Sequence, residues 1–160
     1  MAWKVLIERG NLGFSAAHFI TFDAHTAEPL HGHNYGVRVE AQGELNTASY
    51  VLDFVALKNI TREVCKPLDH QFLLPRLSHH LQITEHPGEW EIRFGSQRYL
   101  LPASSVTPLP VENATAERLA EYLAGRILER LDALGAANLT RLTVGVEETE
   151  MQTAFYSINL

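Results

Sequence analysis

His31-Gly32-His33-Asn34-Tyr35-Gly36-Val37-Arg38-Val39-Glu40-Ala41-Gln42-Gly43 is the stretch on which the reading of this 160-residue chain turns. From Tyr35 onward the odd positions Tyr35, Val37, Val39 and Ala41 are apolar, while Arg38, Glu40 and Gln42 are polar. That period of two marks a half-buried strand, because successive side chains of an extended backbone point to opposite faces. Gly43 and Asn46 signal the turn that ends it. The same parity puts His31 and His33 on one face, about 6 to 7 Å apart at the backbone, so the two imidazoles can share an ion. His18, at the end of Phe14-Ser15-Ala16-Ala17-His18, is available as a cross-strand third ligand. Three neutral imidazoles with one open position are what a catalytic zinc needs. Alone, a His-x-His pair also fits surface or core histidines.

Working outward, Ala2 to Ile20 reads as a strand pair or one long strand broken at Gly10-Asn11-Leu12-Gly13. Asp53 to Lys66 follows a helical period, with Leu57, Ile60 and Val64 on one stripe, and Pro67 stops it. A second helix, from about Thr115 to Leu134, steps Leu119, Leu123, Ile127 and Leu131 by fours; Asn113 or Thr115 is its N-cap and Gly135 its end. Leu142 to Glu148 and Ala154 to Leu160 complete the sheet that these helices must cover. Between His70 and Asn113 an insertion, residues 71–112, contains Glu91-Ile92-Arg93-Phe94 and Gln97-Arg98-Tyr99-Leu100 around Gly95-Ser96. It reads as one extra hairpin framed by Pro87-Gly88 and by Pro102, Pro108 and Pro110. The element order predicts a single α+β domain over residues 1–160, with both helices on one sheet face.

Composition narrows the function classes. Thirteen Lys plus Arg against 19 Asp plus Glu leave a formal charge of -6, which disfavours a phosphate backbone or an anionic lipid surface as partner. Neither nucleic acid nor membrane is expected. With 46% apolar and 20% charged residues the chain is ordinarily globular. Cys65 is the only cysteine, so an intrachain disulfide and a four-cysteine zinc site are both excluded. The opening lacks the apolar run of a signal peptide and no 18-residue apolar stretch occurs, which makes a cytoplasmic protein the expectation.

Three further positions invite chemistry. Asp69-His70 pairs a carboxylate with an imidazole, as a proton-transfer residue requires, or else is a helix-end histidine facing the dipole. Glu148 continues the inward parity of Val144 and Val146, and a buried carboxylate there needs a partner; the planar donor edge of an amidine or 2-aminopyrimidinone satisfies it bidentately. The alternative is a strand-end glutamate in solvent. Cys65 lies off the best positions of its helix stripe and reads as structural, and His25, His79, His80 and His86 read as surface residues.

Six blocks then occur in a specific order: Phe14-Ser15-Ala16-Ala17-His18, His31-Gly32-His33-Asn34-Tyr35, Val51-Leu52-Asp53-Phe54 with Leu57-Lys58, Leu68-Asp69-His70, Asn113-Ala114-Thr115-Ala116-Glu117, and Val146-Glu147-Glu148-Thr149. In that order they resemble the family of 6-pyruvoyltetrahydropterin and 6-carboxytetrahydropterin synthases, over essentially the whole chain except the insertion. The resemblance implies a tunnelling fold (T-fold): an antiparallel four-stranded sheet with two helices on one face, assembled as a trimer-based homo-oligomer, usually a hexamer. It implies zinc on His18, His31 and His33, a pterin triphosphate substrate anchored by Glu148 with Thr115 and Glu117, and Asp69 with His70 assisting the base.

One departure bears on the reaction. Typical members carry a cysteine four residues before His-Gly-His, where this chain has Ala27; Glu28 follows it in Glu28-Pro29-Leu30-His31-Gly32-His33. This resembles the glutamate-bearing branch, which converts dihydroneopterin triphosphate to 6-hydroxymethyl-7,8-dihydropterin for folate synthesis. Carboxytetrahydropterin or pyruvoyltetrahydropterin synthesis with His70 as principal base, and a non-catalytic pterin-binding module, are the alternatives.

Overall fold

The computed structural model describes residues 3–8 and 10–160. Its spine is strand β3, His31–Gly43, with Tyr35, Val37, Val39 and Ala41 buried. Strands β1 (Trp3–Ile7) and β2 (Gly13–His18) lie end to end along one side of β3, Trp3 opposite Gly43 and His18 opposite His31. The expected broken strand is therefore one strand line with a gap in it; Ala2, part of that expectation, lies outside the described residues. Gly13 is needed where β2 restarts, because an added Cβ would lie 2.1 Å from the Tyr35 carbonyl oxygen.

On the other side of β3 runs β9 (Leu139–Thr149), followed outward by β10 (Gln152–Asn159), all antiparallel. Helices α1 (Phe54–Cys65) and α2 (Ala116–Ala133) cover one face, as the T-fold reading requires. The Asp53 carboxylate caps α1 by accepting from the Val55 N–H at 2.7 Å. Of the two candidate caps for α2, Thr115 serves, accepting from the Arg118 N–H at 3.3 Å. Leu119, Leu123, Ile127 and Leu131 of α2 are fully buried with Leu57 of α1 against Val39, Leu142 and Val144, each such side chain contributing about 1.5–3 kcal/mol of burial. Cys65 also joins this core, because the last turn of α1 rotates it inward; the thiol is pushed up to about 12 by burial, with Asp69 adding to the effect.

The insertion is more than the single expected hairpin. Its first strand, β4 (Gln71–Pro75), pairs parallel with β2, and the later β8 (Val106–Leu109) pairs parallel with β4, extending the sheet in the order β10-β9-β3-β2-β4-β8. Between them β5 (Gln82–His86), β6 (Glu89–Phe94) and β7 (Gln97–Pro102) form a separate antiparallel sheet. Pro87-Gly88 does not frame the hairpin; with Gly88 at φ +83° it turns β5 back along β6. The small sheet closes a second core of Phe19, Phe72, Leu74, Trp90, Ile92 and Val106. Burial of that apolar set, dispersed between prolines in the sequence, is what makes strands of a segment with little visible period.

The seven-stranded sheet is open in a single chain, with β10 and β8 at its edges. Among the described residues no helix is long and apolar enough to cross a membrane.

Candidate active site

Register brings the three histidines together. His18 ends β2 directly opposite His31, and His33 follows on the same face of β3, so one potential ligand atom from each lies within 4.8 Å of the others. The rings pack edge to face, His31 on His33 at 4.8 Å and His18 on His33 at 5.2 Å between centroids. Backbone carbonyls orient two of them: Nδ1 of His18 donates to Ala114 O at 2.7 Å, and Nδ1 of His31 donates to Pro29 O at 2.7 Å. With the proton on Nδ1, each Nε2 presents a bare lone pair, the arrangement by which outer hydrogen bonds prepare imidazoles for a metal. Nε2 of fully buried His18 has no hydrogen-bond partner, and burial holds His18 below its ordinary pKa, in the neutral state that ligation needs. An orphaned buried nitrogen among converging imidazoles fits a divalent cation.

A carboxylate stands on either side of the cluster. Glu148 Oε1 is 3.3 Å from His18 Nε2 and 3.7 Å from His33 Nε2, and it too is buried without a hydrogen-bond partner. Inward parity thus leads Glu148 to the site and not to solvent. Glu28 comes from the loop joining β2 to β3, whose ends are drawn together by the Thr21–Ala27 bridge and by the Glu28 N–H donating to Ile20 O at 2.9 Å. Its Oε2 accepts from the Ile20 N–H at 3.2 Å and lies 3.8 Å from His31 Nε2. Ala27, beside it, offers no functional group.

The remaining expected site residues are Asp69, His70, Thr115 and Glu117. Asp69 and His70 sit at the edge of β2: Asp69 Oδ1 accepts from the Ser15 N–H at 2.8 Å, the His70 N–H donates to Ser15 O at 2.6 Å, and His70 Nδ1 approaches Asp69 Oδ2 at 2.9 Å. The Ser15 amide and the His70 ring hold the Asp69 carboxyl below the usual carboxylate range. His70 has left-handed backbone, φ +59°, and a side chain 81% exposed. Among the described residues the pair makes no hydrogen bond or ion pair to the triad, but His70 lines a cavity of about 520 Å³ that also takes in His33, with Leu30, Asn34, Phe72 and Leu101. Thr115 is taken up as the α2 cap and Glu117 is exposed on the first turn of that helix. Asn113 ties this corner to β2, accepting from the Thr21 N–H at 3.3 Å and donating to Thr21 O at 2.8 Å.

Residues 9–159 match the sequence family described as 6-pyruvoyl tetrahydropterin synthase. The chain belongs to that family. A Methanocaldococcus jannaschii protein provisionally named 6-carboxy-5,6,7,8-tetrahydropterin synthase is 36% identical over 146 residues, 91% of this chain and 89% of that protein. The dihydroneopterin monophosphate aldolase of Pyrococcus furiosus is 40% identical over 60 residues, 38% of this chain and 50% of that protein. Among solved structures, the 6-pyruvoyl tetrahydropterin synthase of Plasmodium vivax superposes with a TM-score of 0.94 at 32% identity, covering 100% of this chain and 99% of that one. Two further structures of the Plasmodium protein, also at TM-score 0.94 and 31% identity, replace a glutamate described as a catalytic residue by alanine and by cysteine. The chain is thus a pterin-processing enzyme of the lyase type with the T-fold of its family.

One residue of the site was not singled out from the sequence as more than an inward apolar position. Tyr35, next in parity after His33, packs its ring on Phe14 at 4.9 Å and edge-on to His33 at 5.5 Å, with its hydroxyl buried. Burial first, and then the charge of Glu148, push the phenol well above its ordinary pKa. The available signal was the unbroken His31, His33, Tyr35 parity.

Proposed function

We propose that this enzyme is a zinc-dependent lyase converting 7,8-dihydroneopterin triphosphate to 6-hydroxymethyl-7,8-dihydropterin, for folate synthesis, with release of the two-carbon aldehyde triphosphate. His18, His31 and His33 would hold the zinc, which when bound supplies Lewis acidity toward the substrate's side-chain oxygens. Glu148 anchors the 2-amino and ring N–H edge of the pterin, with Thr115 and Glu117 assisting from the start of α2. Glu28 takes the C2′ hydroxyl proton; the C1′–C2′ bonding electrons move into the C6=N5 imine, and the resulting enamine is reprotonated at C1′.

The observation that carries this reading is the Glu28 carboxylate 3.8 Å from His31 Nε2, fixed by the Ile20 amide, where the neighbouring Ala27 offers no thiol and the lone Cys65 is buried in the helix-side core. A hydroxyl proton is within the reach of a carboxylate base, whereas abstraction of carbon-bound protons asks for a stronger one. The catalytic glutamate in the Plasmodium structures and the Pyrococcus aldolase support the same choice.

Asp69 and His70 assist proton transfer. Because both are exposed and, among the described residues, bond to no histidine of the triad in their own chain, we place them against the triad of a neighbouring copy, in a trimer-based, hexameric homo-oligomer. The unpaired edges of β10 and β8 support such assembly.

The Methanocaldococcus relative, which spans most of the chain, favours a second reading, 6-carboxytetrahydropterin synthesis with His70 as principal base. Product identification separates the two. Zinc-loaded protein incubated with dihydroneopterin triphosphate is expected to yield hydroxymethyldihydropterin; carboxytetrahydropterin as product overturns the first reading, and pterin binding without turnover makes the protein a binding module.

A further inference from the structure

Three buried polar atoms at this site lack hydrogen-bond partners among the described residues: His18 Nε2, Glu148 Oε1 and the Tyr35 hydroxyl. Their needs differ. His18 donates through Nδ1 to Ala114, so its Nε2 is a lone pair and offers nothing to the facing Glu148 oxygen 3.3 Å away. An ionised Glu148 can only accept, and a phenol has one proton to donate. The strand register makes these two neighbours: β3 and β9 pair Val37 with Val146 and Gly36 with Glu147, and the next step sets Glu148 across from Tyr35 on the inner face. Cross-strand partners lie about 4.5–5.5 Å apart at Cβ, well within the reach of a tyrosine and a glutamate.

We propose that Tyr35 is a positioning residue whose hydroxyl donates to the Glu148 carboxylate and aims it at the donor edge of the pterin. The proposal rests on Glu148 being the pterin anchor. Tyr35 is suited to this because its ring cannot wander: it is stacked on Phe14, flanked edge-on by His18 at 5.8 Å and His33 at 5.5 Å, and 2% exposed. A fixed donor leaves the carboxylate one orientation and spares the substrate the cost of ordering it, which is how a supporting shell adds affinity without touching the ligand. Glu28 needs no such donor, since the Ile20 amide already holds it.

The test is a double-mutant cycle on the full-length protein, titrated with 7,8-dihydroneopterin and followed by ligand fluorescence, with bound zinc and thermal midpoint measured alongside. Tyr35→Phe, which keeps the ring and its packing, is expected to weaken dihydroneopterin binding by about tenfold, as loss of a hydrogen bond to a charged group does, with zinc content and midpoint unchanged. In a Glu148→Gln background the same substitution is expected to have no further effect, because Tyr35 acts through that carboxylate. Parental affinity in Tyr35→Phe, or equal losses in both backgrounds, overturns the assignment of Tyr35 while leaving the anchor standing. Parental affinity in Glu148→Gln removes the anchor itself, and Tyr35 with it.

Discussion

Glu28 shows how much a single position carries at this site. The site has carboxylates on both sides of the triad, and they are held differently: Glu28 accepts from a backbone amide at the rim, while Glu148 is the inner one with an orphaned oxygen. A rim carboxylate can receive a proton from a bound hydroxyl, and an inner one is better suited to orient a ligand. Glu28→Gln is therefore expected to lower kcat by about 10²–10⁴-fold, the range general bases supply, with dihydroneopterin affinity retained. Single-turnover rates and equilibrium titration of the same variant check both halves; full turnover would remove Glu28 from the reaction. At this scale the sequence was informative where spacing implies geometry. His31 and His33 had to share a face, and for Glu148 the parity of Val144 and Val146 offered the inward position beside the alternative of a strand end in solvent. The carbonyls of Ala114 and Pro29 that select the imidazole tautomers were not legible, because any residue can present a carbonyl and only the fold aims it.

Among the elements, the helices followed their patterns and the insertion did not. Apolar steps of four have one explanation in a segment of that length, a buried helical stripe, and every one of those positions in α2 is fully buried. The Thr115 cap is the part of α2 most exposed to test: Thr115→Ala is expected to cost about 1 kcal/mol, read from urea unfolding, by leaving the Arg118 N–H without its side-chain acceptor. The insertion's strands owe their existence to a second core and to surface ion pairs that no period announces. On β6 and β7, Glu91 lies between Arg98 and Arg93, which bring its pKa down to about 2 from an ordinary 4.5. A depressed carboxylate pKa contributes stability that is complete above the unfolded value and lost as pH falls toward the folded one. The thermal midpoint of the protein should accordingly decline between about pH 4.5 and 2 partly through Glu91. Glu91→Gln should lower the midpoint at neutral pH and flatten that part of the curve; an unchanged acid slope would assign the decline to other groups.

For the whole molecule, the exposure of Asp69 and His70, which make no bond to the triad among the described residues, is the feature with most consequence. If proton transfer uses the triad of one copy and the His70 of another, then His33→Ala and His70→Ala are each inactive alone, yet oligomers refolded from a mixture contain sites with both histidines. Partial recovery of turnover in the mixture is the expected outcome, and its absence, with mixed oligomers verified by mass, would return the reaction to a single chain. The sequence by itself determined the α+β class, both helices, the strands outside the insertion and the shared face of His31 and His33, because side-chain parity and helical period are local consequences of backbone geometry. Only the tertiary structure decided that β4 and β8 extend the main sheet in parallel, that Asp69 and His70 are tied to Ser15 at the edge of β2, and that the register of β3 and β9 carries Tyr35 across from Glu148. Each of those depends on which strands become neighbours, and that follows from burying two separate apolar cores at once, a balance summed over the whole chain that no local stretch records.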